Sequence, residues 1–394
     1  MISPLYANLI APSLANILDD VLPFIRAQRE ECIILRRMPE RSHQMLVQSK
    51  LFRLLQPKRY GGLEADPRDF YNVQLKLSAA CGSTGWTWGV VAAHAWQLAL
   101  FPAQAQEDVW GNSADALLAS SYAPVGKKVE VVDGGYLLTG KWDFCSGIDI
   151  SDWCLLGALI PEERPEYRTF LVPEAAYRIE DNWHVSGLKG TGSKSVVLDK
   201  IFVPEYRTHK IKDGFNSTSP GNEVNTSLLY KFPFGQIFIR SIATPALGMA
   251  SHALDSYLDR VKNRVSGVSG KSAVEDPAVL ETIAVCRSEL ETLHLKLMAN
   301  YDEMWQYVHQ GETIPMDRRV QFKFESADSV RRACKVIEKL ITSSGASVIF
   351  ADNPIPQLLQ DVLASRAHYG NNSVFFAKNC GQQLLGQQVS DYFL

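Results

Sequence analysis

Hydrophobic periodicity changes twice along this chain, and those two changes limit its fold more than any other feature. Up to about residue 115, apolar residues recur at spacings of three and four around Leu14–Arg37, His43–Leu55, Arg68–Cys81 and Trp86–Leu100. That spacing lines one face of a helix. From Leu117 to about Lys210 the period drops to two, in KVEVVDGGYLLTGKW, DWCLLGALIP, RTFLVP and SVVLDKIFVP. Alternate side chains of a strand point to opposite faces, so these runs read as half-buried strands, with Asp133-Gly134-Gly135 as a hairpin turn. Helical spacing then returns over Phe234–Val265, Pro277–Gln310, Met316–Ser343 and Ile355–Leu385, with Gly267 and Gly270 between the first two. Blocks in this order predict an α+β fold with segregated layers, not alternating βαβ units. The expected divisions are an N-terminal helical domain over 1–115, a small, mostly antiparallel β domain over 116–212, and a C-terminal long-helix bundle over 228–394. FNSTSPGNEVNTS, Phe215–Ser227, reads as a surface loop or linker.

Several function classes fall away early. A net charge of −3 carries no nucleic-acid footprint and no basic membrane-binding face. No apolar run is long enough to span a membrane. The N-terminal stretch has no basic start and carries Asp19 and Asp20, so it reads as neither a signal nor a transit peptide. The seven cysteines are scattered and form no CxxC, which predicts reduced core thiols and a cytoplasmic protein. No phosphate-gripping GxGxxG or Walker loop follows a strand, and the glycine cluster Gly187–Ser193 reads as a loop between β segments. Two ExxH pairs occur, Glu40–His43 and Glu291–His294, but helical spacing produces such pairs by chance and no metal is expected. No GxSxG elbow supports serine hydrolase chemistry.

The stretch GKWDFCSG, Gly140–Gly147, is ambiguous by itself. Strict alternation puts Trp142, Phe144 and Ser146 on one face and Cys145 on the other, in core packing. That face is either an ordinary core strand or a flat aromatic wall ending in one hydroxyl, which suits a planar ligand. Two histidines stand out similarly. His94 lies in the otherwise apolar helix GVVAAHAWQLAL, and His368 lies in QDVLASRAHYGNN near the start of the last helical tract. Each is open to a structural or a catalytic reading, whereas His252, His294 and His309 read as structural.

Taken together, CGSTGW (Cys81–Trp86), SSYAPVG (Ser120–Gly126), DGGYLLTGKWDFCSG (Asp133–Gly147) and GLKGTGSKSVVLDKIFVP (Gly187–Pro204) resemble the oxygenase components of two-component flavin-dependent monooxygenases. These are enzymes of the acyl-CoA dehydrogenase fold, and the resemblance is to members that hydroxylate phenols. Acyl-CoA dehydrogenases carry a glutamate base near the C-terminal helix. Here Gln360-Asp361 and Ala367-His368-Tyr369-Gly370 place a histidine and no carboxylate at the comparable position. The resemblance implies reduced flavin (FMN or FAD) and O2 as cofactors, and aromatic hydroxylation through a C4a-hydroperoxide. It assigns Ser121 and Ser146 to the reactive end of the flavin, with Ser120 as the alternative one residue away. His368 would stabilise or protonate the peroxide, with Asp361 behind it, and His94 would accept the substrate's phenolic proton. Trp86, Tyr122 and the Trp142 wall would contact the cofactor. Arg264 and Gly345 would reach a flavin phosphate across a subunit boundary, although Val265-Ser266 replaces the family's Phe-Gly. The implied partners are a separate NAD(P)H-dependent flavin reductase, a small aromatic substrate and further copies of the chain in a homotetramer. A dehydrogenase with a relocated base, N- or S-oxygenation of a non-phenolic substrate, and a binding subunit without flavin turnover remain as rival readings.

Overall fold

The structure is a computed structural model that describes residues 11–161, 165–265, 270, 272–389 and 391. Among the described residues, six helices come first: α1 (Pro12–Ala27), α2 (Arg29–Leu35), α3 (Glu40–Gln48), α4 (Pro67–Ala80), α5 (Gly82–Leu98) and α6 (Ala103–Trp110). Leu14, Leu18, Val21 and Ile25 form the buried stripe of α1. Asp66 caps α4 by accepting the Arg68 N–H, and Pro67 occupies the first helical position, where its missing N–H costs nothing. The single helix expected over 14–37 is broken at Gln28, the junction of α1 and α2.

Every residue of α5 is buried, as befits a helix that is apolar all round. It can lie this deep because glycines line its contact with α4. A Cβ at Gly85 would stand 2.5 Å from Ser78 Cα, and one at Gly89 would stand 1.7 Å from Gln74 Nε2. That same Gln74 amide donates to the Ser241 carbonyl at 2.6 Å, tying α4 to the first long helix of the bundle, Phe234–Val261.

Two four-stranded sheets follow, in the orders β1-β4-β5-β8 and β2-β3-β7-β6. The strands are β1 (Leu118–Ser121), β2 (Lys128–Val132), β3 (Gly135–Cys145), β4 (Trp153–Ile160), β5 (Glu166–Pro173), β6 (Arg178–Glu180), β7 (Lys194–Pro204) and β8 (Thr208–Lys210). All pairs are antiparallel except β1 with β4. The β2–β3 hairpin turns at Gly134, whose φ of 73° is in the left-handed region. Trp142, Cys145, Cys154, Phe170 and Val196 fill the space between the sheets.

The bundle consists of α7 (Ile211–Asn216), α8 (Phe234–Val261), α9 (Pro277–His309), α10 (Met316–Ser343), α11 (Ile355–Arg366) and α12 (Ser373–Leu384). Its core is continuous with that of α1–α5. The segment 215–227 runs largely over the surface, as the sequence suggests, but is tied down at a few points. Ser219 and Asn225 are buried, and the Asn225 amide donates to the Ala99 carbonyl and Gln106 Oε1, satisfying the end of α5. The tract expected over 355–385 is two helices. Asn372 caps α12 by accepting the Phe375 N–H, and Asn371 donates to the carbonyls of Ile242 and Ser365, so the chain turns at 367–372. His368 therefore sits in a break between helices, not on one. Ser266 and Gly267 lie outside the described residues. Among the described residues no helix is long and apolar enough to cross a membrane.

The α4–α5 contact has no room to relax, because backbone atoms face Gly85. Gly85→Ala is expected to lower the denaturant midpoint, with a loss of about 1–3 kcal/mol from overpacking. Gly381→Ala, on α12 with nothing within 4 Å of the added carbon, should leave the midpoint unchanged or raise it.

Candidate active site

A cavity of about 990 Å³ opens where α5, β1, the end of β3, the loop before β7, α8 and the α11–α12 break converge. That volume is at the upper end for small-molecule sites and accommodates two planar molecules. Its inner wall is apolar and aromatic, with Val90, Tyr122, Phe238, Ile239 and Ile242. Asp143 is the one carboxylate among its described lining residues, and it accepts from the Ser195 hydroxyl and lies 3.9 Å from Lys141.

The end of β3 corrects the expectation from strict alternation. Between the pairs Trp142–Val196 and Cys145–Lys194, β3 advances three residues while β7 moves two. The extra residue is a β-bulge, which bends the strand and re-aims the side chains beyond it. Trp142 and Cys145 consequently both face the inter-sheet core, fully buried. Trp142 donates its indole N–H to the Gly157 carbonyl at 2.8 Å and does not line the cavity, so it is no flavin wall. Phe144 takes a left-handed φ of 64° and is 71% exposed at the cavity rim, edge-on to Trp183 at 6.2 Å. Ser146 emerges beyond the bulge into the cavity.

Ser146 belongs to a chain of hydroxyls. The Trp86 indole N–H donates to Ser146 Oγ at 3.0 Å, Ser146 Oγ lies 2.7 Å from Ser193 Oγ, and Ser193 Oγ lies 2.7 Å from Thr191 Oγ1. Thr191 donates to the Leu188 carbonyl at 3.0 Å. From β1, Ser120, Ser121 and Tyr122 also line the cavity, with the Ser121 hydroxyl donating to the Asp143 carbonyl and the Tyr122 hydroxyl to Gln97 Oε1. Sequence reasoning missed Thr191, Ser193 and Trp183. A loop with two hydroxyls and three glycines between strands was the available signal for the first two, since glycines let backbone approach closely.

His368 lies in the cavity wall with its ring edge-on to Trp86, centroids 6.0 Å apart. The Gly370 N–H donates to His368 Nδ1 at 3.0 Å, so the ring's proton is on Nε2. Burial lowers this imidazole to about 4, so it is neutral at ordinary pH. Asp361 does not support it. That carboxylate accepts instead from the Leu188 N–H and the Gln357 amide.

His94 is also displaced from its expected role. It is fully buried behind the wall, stacked on Phe238 at 5.8 Å and edge-on to Tyr122. Its Nδ1 lies 2.6 Å from the Leu118 carbonyl, which can only accept, so Nδ1–H is the donor. Burial lowers its pKa to about 4, and it does not reach the cavity surface as a base for substrate would. Arg264 and Gly345 stand apart from this cavity. The Arg264 guanidinium donates to the Ser343 carbonyl at 2.7 Å, beside a second hollow of about 590 Å³ that Arg260, Ser344 and Asn353 also line. Glu291 pairs with Arg287, and His294 contacts Asn72 Oδ1 at 2.6 Å.

For His368 the folded-state pKa is below the ordinary value near 6.5. The stability held by its neutral form is thus complete above pH ~6.5 and lost as the pH falls toward 4. Nitrogen-15 NMR of histidine-labelled protein, assigned with His368→Gln, should show a protonated Nε2, a bare Nδ1 and no titration from pH 5.5 to 8. A His368 resonance titrating near 6.5 would contradict the assignment.

Comparisons with known proteins identify the family. Residues 240–373 match the family model described as acyl-CoA dehydrogenase, C-terminal domain. The chain is 40% identical over 358 residues to the flavin-dependent monooxygenase oxygenase subunit HsaA of Rhodococcus jostii, covering 90% of this chain and 94% of that one. It is 34% identical to the FADH2-dependent resorcinol hydroxylase oxygenase component of a Rhizobium species, covering 89% and 88%. The crystal structure of 3-HSA hydroxylase from a Rhodococcus species superposes with a TM-score of 0.93 at 37% identity, covering 98% of this chain and 99% of that one. The chain therefore belongs to the flavin-dependent monooxygenases of the acyl-CoA dehydrogenase fold, as an oxygenase component.

Proposed function

We propose that this oxygenase component takes reduced flavin from a separate NAD(P)H-dependent reductase and hydroxylates a phenolic ring with O2. The observation that carries the reading is the position of Trp86. Its indole N–H holds Ser146 and its ring edge meets His368, so one side chain touches two of the polar groups that line the cavity.

The residues fit a flavin. The cavity volume, the aromatic wall, and a serine hydroxyl fixed at the end of a strand all suit a planar ring with one polar edge. Reduced flavin, when bound, supplies the electrons that activate dioxygen. Ser146 and the backbone bulge behind it would orient the ring. The neutral His368 would present Nε2–H to an oxygen atom without adding a charge that attracts water. Tyr122, Phe238, Ile239 and Ile242 would exclude solvent and pack the substrate ring. With no cation or carboxylate deep in the described lining, the preferred substrate is an uncharged, largely apolar phenol. The hollow beside Arg264 and Gly345 is read as the place for the phosphate end of FMN or FAD held by a neighbouring copy, within a cytosolic homotetramer.

Supplied with reduced flavin and O2, the wild-type protein is expected to form hydroxylated phenol. Ser146→Ala and His368→Ala should each divert turnover to hydrogen peroxide, with hydroxylation falling by about 10²-fold. Unchanged product yield per flavin oxidised in both variants would contradict the assignment. Peroxide and product are quantified in the same reaction.

A further inference from the structure

The hydroxyl chain behind Ser146 has two possible polarities. Each hydroxyl carries one proton, and the Trp86 N–H always donates into Ser146. In the first arrangement Thr191 donates to the Leu188 carbonyl, Ser193 to Thr191 and Ser146 to Ser193. All three protons are then used inside the protein, and Ser146 offers the cavity only a lone pair. In the reversed arrangement Thr191 donates to Ser193 and Ser193 to Ser146, leaving the Ser146 proton for a ligand. Reversal does not orphan the Leu188 carbonyl, which also accepts from the Thr191 N–H and the Trp183 indole N–H, each at 3.2 Å. Reversal nevertheless exchanges an internal hydrogen bond for one that only a ligand can supply, so the lone-pair arrangement is the resting one.

We infer that Thr191 and Ser193 are positioning residues that make this site select reduced over oxidised flavin. The inference rests on the reading that flavin N5 faces Ser146. Reduced flavin carries a hydrogen on N5 and donates, whereas oxidised flavin has a bare N5 and accepts. A serine whose proton is tied back through Ser193 to Thr191 matches the first and leaves the second unpaired. Neither hydroxyl needs to touch the flavin. Both residues line the cavity beside Ser146, but Thr191 is only 1% exposed and Ser193 5%, so little of either side chain is open to solvent.

The test is the ratio of dissociation constants for oxidised and anaerobically reduced flavin, with FMN and FAD each measured by equilibrium dialysis. Wild type should favour the reduced form. Thr191→Val removes the hydroxyl that receives the Ser193 proton, so Ser193 turns to Ser146 and the Ser146 proton faces the cavity. The ratio should fall about tenfold, equivalent to about 30 mV in the potential of the bound two-electron couple. Thr191→Ser should keep the wild-type ratio, and Ser193→Ala, which also frees the Ser146 proton, should reproduce the fall. In a Ser146→Ala background, Thr191→Val should have no effect. An unchanged ratio in Thr191→Val and Ser193→Ala with flavin still bound would overturn the inference while leaving the site reading intact. Wild-type protein that binds neither flavin in either state would instead overturn the site reading.

Discussion

Burial of α5 on both faces is the constraint on which the rest of the structure depends. One side of the helix meets α4 through Gly85 and Gly89, with Gln74 bridging to α8. The other side meets the sheets, where the His94 imidazole donates to the Leu118 carbonyl at the start of β1. Three residues further along β1, Ser121 and its neighbours reach the cavity. Trp96 donates to the Leu229 carbonyl and fixes the approach to the bundle. Trp86, two turns before His94, is thereby held at the meeting point of strand, loop and helix break. His94 is bonded to β1 and stands behind the cavity wall.

The cavity's chemistry stems from an interior that keeps its polar groups neutral. Burial holds both His94 and His368 uncharged, and His209 and His294 are depressed for the same reason. The polar work falls to hydroxyls, an indole N–H and a neutral imidazole, which stay ordered without recruiting water. A dehydrogenase built on this fold needs a carboxylate base at the reacting carbon. The single carboxylate among the described lining residues, Asp143, is engaged with Ser195 at the rim.

The layer order was legible because periodicity of three-to-four and of two is imposed directly by burying one face of a helix or strand. Met316–Ser343 emerged with the bounds expected, its buried face recurring at helical spacing along the whole length although Arg319, Lys323, Ser326 and Ser329 share it. The features that failed were set by one residue out of register or by side chains bonding backbone. The bulge in β3 sends Trp142 inward and Phe144 outward, and no two-residue period announces an inserted residue. Asn371 and Asn372 divided the last helical tract, the first through a bond to the distant Ile242 carbonyl and the second as a local cap on the Phe375 N–H. Ser146, Ser120, Ser121, Tyr122, Trp86 and His368 were placed by motif, and the structure brings them to one cavity. Thr191 and Ser193 were hidden because their role lies in a chain of bonds, not in a motif.

The central claim is that this cavity inserts an atom of dioxygen into a phenol using electrons from reduced flavin. The most direct measurement supplies the protein with chemically reduced flavin, a phenolic substrate and ¹⁸O2, and weighs the product by mass spectrometry. One ¹⁸O atom per hydroxylated product, and no product under anaerobic conditions, is the expected result. Product carrying oxygen from water, or formed without dioxygen, would contradict it.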